Sequence, residues 1–269
     1  MIIKTGLHIP IIASDGEPLL PIIPAKTLIL FPGEVISLQV GRPENLALIQ
    51  EYTDTDKLIG VTFSPSGDGS KDTDLCQVGT AAKITSVKDG PGGSKMISLE
   101  GSRRIALQSI HSETPYLTAK VRFIEEKEGD LTKAAESIEE IIGIIEQITK
   151  IDPTYSNELS FVIKFNLSNP GQFADKIATT FHFPLASKQE ILESFKLDTR
   201  LHKILKFLKA ELERAAIAYE IKKNIKERNV DEQKKDNWAT NLSKIKLPIN
   251  YGTKSSRTNY FQQKSGNGR

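Results

Sequence analysis

The spacing of apolar residues changes once along this chain, and the change divides it. From Leu19 to Glu125 apolar residues alternate with polar ones or sit in short blocks, the mark of strands; from Leu131 they recur every three or four residues, the mark of helices. Leu28-Ile29-Leu30-Phe31 reads as a short buried strand, broken by Pro32-Gly33. Ile36, Leu38 and Val40 then alternate with Ser37 and Gln39, as in a half-buried strand. Gly41-Arg42-Pro43-Glu44 ends it and opens a helix reaching Tyr52, with proline at the start and an acid in the first turn. Further strands are predicted over 58–63, 78–87, 95–100, 103–110 and 116–124. A polar loop, 64–74, is read as mobile, and Lys88–Ser94 as a turn. Many short strands with one short helix point to a small barrel or two packed sheets.

The charged run Glu125–Asp130 is a linker. Beyond it Leu131, Ala134, Ile138, Ile141, Ile142, Ile145 and Ile148 form one helical face. Shorter helices are predicted over 155–166, 171–181 and 188–195, the last with Ser187 and Glu190 as a capping box. A long helix follows from Thr199 to about Arg228, capped by Asp198. Leu201, Leu205, Leu208, Leu212, Ala215 and Tyr219 on it keep a four-three spacing. That seam suits a short coiled coil, and so a homo-oligomer, or packing on the chain's own helices.

Composition narrows the class. Of 269 residues, 38% are hydrophobic and 26% charged, which fits a folded, water-exposed protein. No run approaches the ~18–20 apolar residues of a membrane span. The first eighteen residues, interrupted by Lys4, His8, Pro10, Asp15 and Glu17, read as an extension and not a signal peptide. A lone cysteine, Cys76, permits a reducing compartment, and the cytoplasm is the expected location. Residues 231–269 hold eight Lys/Arg against three acids, a basic tail of +5 expected to be disordered; residues 1–230 carry −3. The globular part therefore has no basic excess for nucleic acid.

No catalytic, cofactor or metal site is expected. His8, His111, His182 and His202 share no ligand spacing. Gly252-Thr253-Lys254-Ser255 lacks the glycine loop that a phosphate cradle needs. Glu125-Glu126 and Glu139-Glu140 read as solvated charge, and of Arg103-Arg104 one is expected to face solvent while the other supports a turn.

Six segments, in order over roughly residues 19–235, resemble the N-terminal domain of Lon proteases. They are the opening FPG and GRPE stretch; Gln77–Ile84, similar to EVGTVAKI; Ser98–Arg104, similar to VEGLxR; Tyr116–Val121; Asn169–Ala178; and Lys188–Glu193 with the long helix. The resemblance implies a PUA-like β-rich domain over 19–125, a helical subdomain over 131–230, and the tail 231–269. In that family an ATPase and a Ser-Lys protease domain follow; this sequence contains neither, so a stand-alone protein is expected. Lys88-Asp89-Gly90-Pro91 matches the KDGP before the family's nucleophilic serine, but Gly92 stands where the serine would be and the setting is a hairpin.

The expectation is thus an α+β, non-enzymatic protein that recognises exposed apolar segments of unfolded or degradation-prone proteins, or modulates a Lon-type protease. Apolar burial and strand-edge hydrogen bonds would supply affinity. Phe31, Pro32, Tyr52, Phe63 and Tyr116, at strand or helix ends, are the candidate binding residues. Two alternatives stay open: a nucleic-acid-binding PUA-like module using the basic tail, and the N-terminal piece of an ATP-dependent serine protease.

Overall fold

The computed structural model describes residues 11–12, 18–65, 75–127, 129–155, 159 and 166–244. The chain divides into two compact units, Met1–Tyr219 and Glu220–Arg269. In the first, strands β1 (Ile11–Ile12), β2 (Pro18–Ala25) and β3 (Val35–Val40) precede helix α1 (Pro43–Tyr52). Strands β4 (Ile59–Phe63), β5 (Val78–Asp89), β6 (Lys95–Ser112) and β7 (Thr118–Phe123) follow. Then come α2 (Leu131–Ile151), α3 (Pro170–Thr180), α4 (Leu185–Leu192) and α5 (Leu197–Lys244), the last continuing into the second unit.

The strands close a barrel. β2 pairs with β4 in parallel, and β4–β5, β5–β6, β6–β7 and β7–β2 pair antiparallel. β3 lies outside the ring, antiparallel to the first half of β6, with Val35 opposite Glu100 and Val40 opposite Lys95. Inside, Leu20, Ile22, Leu58, Ala81, Ile105, Ala119 and Val121 form one apolar cluster. A second gathers Leu48, Ile49 and Tyr52 of α1 over Val40, Ile97 and Leu99. A third, the largest, joins the helices to the barrel through Ile29, Phe31 and Val78.

Several expected boundaries shift, each for a local reason. Ile29, Leu30 and Phe31 are buried as predicted and Leu28 is half-buried, but the four form no strand. Side chains satisfy part of their backbone instead: Thr80 Oγ1 donates to the Leu30 carbonyl and Phe31 N–H donates to Glu34. The barrel strand is Pro18–Ala25, hidden in the sequence by Pro18, Pro21 and Pro24. Gly101 does not split β6; it lets the strand pass against the Phe31 carbonyl, 2.2 Å from where a Cβ would sit. α4 starts ahead of the expected capping box, its first bond running from Lys188 N–H to the Pro184 carbonyl. The predicted helix over 155–166 and the loop 64–74 lie largely outside the described residues.

Asp130 caps α2 by accepting from Thr132 and Lys133 N–H, and Asn169 caps α3 by accepting from Gln172 N–H. On α5, Leu201, Leu205, Leu208 and Ala215 are buried, so the heptad seam packs on the chain's own helices as far as Ala215. Tyr219 at its end is 46% exposed. In the second unit helix continues from residue 220 to Lys244, beyond the expected end near Arg228, with Ile221 and Ile225 exposed. The rest of the basic tail lies outside the described residues. Among those residues no helix is long and apolar enough to cross a membrane, and no cluster of three metal-ligating side chains occurs.

Candidate binding cleft

The corner after Phe31 is built like a type II turn. Proline presets the first central position, and Gly33 takes φ +75° at the second, a conformation that penalises any side chain. Glu34 N–H donates to the Phe31 carbonyl at 3.2 Å. Gly33 N–H donates to the Gly101 carbonyl and Gly101 N–H to the Glu34 carbonyl, each at 2.8 Å. The corner is therefore tied to β6 and held rigid.

A cavity of about 420 Å³ opens between this corner and α3. Pro32, Gly33, Glu34 and Val35 form one wall; Gln172, Asp175, Lys176, Thr179 and Thr180 form the other. Val35 is 65% exposed, an apolar rim on a mostly polar lining. The Thr179 and Thr180 hydroxyls both donate to the Lys176 carbonyl, which fixes their orientation. Glu34 is half-buried, and burial pushes its carboxyl up; the Phe31 N–H, Lys188 and Lys176 oppose the shift, and Asp175 adds to it. Burial pulls the Lys188 ammonium down, with Glu34 opposing.

The cavity floor is anchored by a buried charge cluster. Arg104 of β6 grips Asp175 of α3 in a two-pronged pair, at 2.6 and 2.9 Å, and donates Nε–H to the Leu192 carbonyl. Arg200 of α5 reaches Asp175 at 3.4 Å, Glu126 at 3.3 Å and the Ser194 carbonyl at 2.9 Å. One strand and two helices thus meet at one carboxylate.

Of the five predicted binding residues, only Pro32 lines the cavity. Phe31 is fully buried in the helix–barrel core. Tyr52 and Tyr116 are 3% and 8% exposed and meet edge to face, ring centres 6.2 Å apart, with Tyr116 O–H donating to Glu51 at 2.7 Å. Phe63 is half-buried against the helical core. The expected aromatic groove is not assembled from these rings: their apolar faces are spent on internal packing. Asp175 carried a readable signal, a charge among Phe173, Ala174, Ile177 and Ala178 on the buried face of its helix. Gln172, Lys176, Thr179 and Thr180 carried none. Of the arginine pair, Arg104 is the buried anchor and Arg103 lies over the Phe123 ring, 3.6 Å from its centre. The KDGP segment is a hairpin turn: Asp89 pairs with Lys95, Gly90 N–H donates to the Ser94 carbonyl, and the buried Ser94 hydroxyl donates to the Pro91 carbonyl.

A closed β-barrel followed by a helical lobe, packed together through Phe31 and the buried Arg104–Asp175 pair, defines an α+β fold. The model for the ATP-dependent protease La (LON) substrate-binding domain matches residues 19–210, and the chain belongs to that family. A Lon protease of Dictyoglomus thermophilum is 29% identical over 214 residues, covering 79% of this chain and 27% of that protein. A Lon protease of Flavobacterium johnsoniae is 28% identical over 225 residues, covering 81% of this chain and again 27% of the relative. The chain thus spans about a quarter of the length of these curated relatives. The solved N-terminal domain of a Mycobacterium avium complex Lon protease shares the fold, with a TM-score of 0.57 at 18% identity, covering 71% of this chain and 98% of that domain.

Proposed function

We propose that this chain is a non-catalytic recognition module for protein clients of a Lon-type protease, acting in the cytoplasm, and that the cleft between the Pro32–Val35 corner and α3 seats an extended client segment. The observation that carries this reading is the 420 Å³ cavity itself, walled by a rigid turn on one side and one helix face on the other, in a chain of the substrate-binding family. Pro32 and Val35 offer apolar contact to a client side chain. Gln172 and Lys176 offer donors to its backbone carbonyls. Binding at one such site is weak, and repeated engagement along an unfolded client raises it.

Titrating the full chain against a fluorescently labelled, permanently unfolded protein measures the affinity. Thr179→Trp fills the cleft from the helix side without touching the buried charge cluster. A loss of affinity of ~10-fold or more supports the cleft. Unchanged affinity in a folded variant places the client elsewhere.

A further inference from the structure

The corner wall of the cleft runs straight into an unguarded strand. Val35 lines the cavity and is also the first residue of β3, and among the described residues β6 is the sole strand partner of β3. Strand edges open to solvent usually carry a lysine, a proline or a bulge that blocks pairing with another chain. Val35–Val40 holds no lysine or proline, and its register with β6 is unbroken.

The ladder fixes which groups face the open side. Gly101 N–H donates to the Glu34 carbonyl, so Glu34 turns its carbonyl toward β6. Alternation turns the backbone of Ile36, Leu38 and Val40 the same way. It leaves one N–H and one C=O on each of Val35, Ser37 and Gln39 pointing away from β6. The side chains alternate too. Val35, Ser37 and Gln39 are exposed, while Ile36 and Leu38 are half-buried against the cluster that holds Tyr52, Ile97 and Leu99. A strand added at this edge therefore has one solvated face and one apolar face.

We propose that β3 is a strand-addition edge for the client: an extended segment pairs with the outward groups of Val35, Ser37 and Gln39 and runs past Val35 into the cleft. This rests on the reading of the cleft as the client site. It names the client chemistry, a proline-free stretch in which apolar residues alternate with polar ones. The apolar set lies beside Ile36 and Leu38, and the polar set beside Ser37 and Gln39. Backbone hydrogen bonds supply affinity without reading sequence, which suits many unrelated clients. The occupant is a client and not a second copy of this chain, because the charges flanking β3 are already engaged. The Glu34 carboxylate accepts from Phe31 N–H, and Arg42 has a partner within the chain. A second β3 thus brings only the backbone that any extended segment offers, whereas a client strand also fills the cavity at the Val35 end.

Fluorescence anisotropy of the full chain tests this with a labelled peptide of about twelve residues, alternating valine and threonine between terminal lysines. Two further peptides carry N-methyl groups, one on every valine amide and the other on every threonine amide. Only alternate residues of an added strand turn N–H toward β3, so one of the two loses affinity ~10-fold or more while the other keeps it. Ser37→Pro removes an outward N–H, leaves the bonds to β6 in place, and weakens the unmodified peptide to the same degree. If melting shows that this variant does not fold, the methylated pair, measured on the unaltered chain, decides alone. Thr179→Trp separates the edge from the cleft. Loss of affinity in Thr179→Trp, with equal binding of the two methylated peptides, overturns strand addition and keeps the cleft. Loss confined to Ser37→Pro and one methylated peptide keeps strand addition and overturns the cleft reading. An unmodified peptide that does not bind overturns strand addition, and the titration with the unfolded protein then judges the cleft by itself. A dimer in sedimentation velocity that Ser37→Pro dissolves and excess peptide does not gives the edge to a second copy and overturns the inference.

Discussion

Replacing Asp175 by Asn tests whether one carboxylate holds the helices on the barrel. Asparagine keeps the shape and one acceptor oxygen but removes the charge. Arg104 then loses the partner that it meets at 2.6 and 2.9 Å, and Arg200 loses one of its two carboxylates. Both guanidinium groups remain buried, the Arg200 side chain fully so. At an effective dielectric of about 20, one unit-charge pair near 4 Å is worth ~4 kcal/mol. Part of that returns, because the carboxylate no longer has to be desolvated. Breaking a buried pair from one side costs about 3–5 kcal/mol. Glu126 and the Leu192 and Ser194 carbonyls still accept from the two arginines, which puts the expected loss near the lower end, about 3 kcal/mol. For a unit of this size that is a fall in Tm of roughly 6–12 °C. Urea unfolding followed by far-UV circular dichroism should show the midpoint fall with little change in slope. A loss below ~1 kcal/mol would sink the reasoning, since it would rank the cluster with exposed ion pairs. A companion variant separates stability from specificity. Changing Arg104, Asp175 and Arg200 together to Met, Leu and Met removes all three charges, and most of the lost stability should return.

Gly101→Ala forces a methyl group to within 2.2 Å of the Phe31 carbonyl, a backbone atom that cannot swing aside, so the variant should lose at least ~2 kcal/mol in the same urea assay. Glu34→Gln keeps the Phe31 N–H bond but removes a charge that burial disfavours. Because the folded carboxyl titrates above its ordinary value, its stabilising contribution is complete below the unfolded pKa and is lost as pH rises through the raised one; the variant should be flatter than wild type across that window and more stable at neutral pH. Tyr155 O–H donates to the buried Glu211 carboxylate at 3.0 Å and contacts His182 Nδ1 at 2.9 Å, and burial pushes the phenol up to about 12. Tyr155→Phe should therefore cost about 1–2 kcal/mol by thermal melting, with no titration of the phenol below pH 10 in ultraviolet difference spectra of the parent.

The architecture was legible because period and punctuation agreed. β3, α1, β4 and β7 sit within a residue or two of their predicted bounds, since alternation, Pro43 at the helix start and turn residues all point the same way there. β2 was not legible. Three prolines argue against a strand, and only its place in a closed barrel, paired to β4 and β7, overrides them. The capping box before α4 failed for the opposite reason: a good local signal lost to Pro184, which opens the helix earlier.

The cleft shows why site residues were harder to read than elements. Aromatic residues at strand ends looked like groove lining, yet a ring that ends a strand here also ends next to a lobe that needs covering. Phe31 illustrates the competition. Its burial between barrel and helices is worth ~2–3 kcal/mol, more than one exposed contact with a passing client would return. What remains at the surface is the backbone of the corner that Phe31 anchors, faced by polar residues of α3. The sequence signal for such a cleft is therefore indirect: a proline-glycine turn whose glycine must take positive φ, beside a distant glycine, Gly101, whose missing side chain lets the two segments touch. This one close approach of two glycines far apart in sequence pins the corner to β6, and the open space beside it faces α3 because the turn is too tight to fill it.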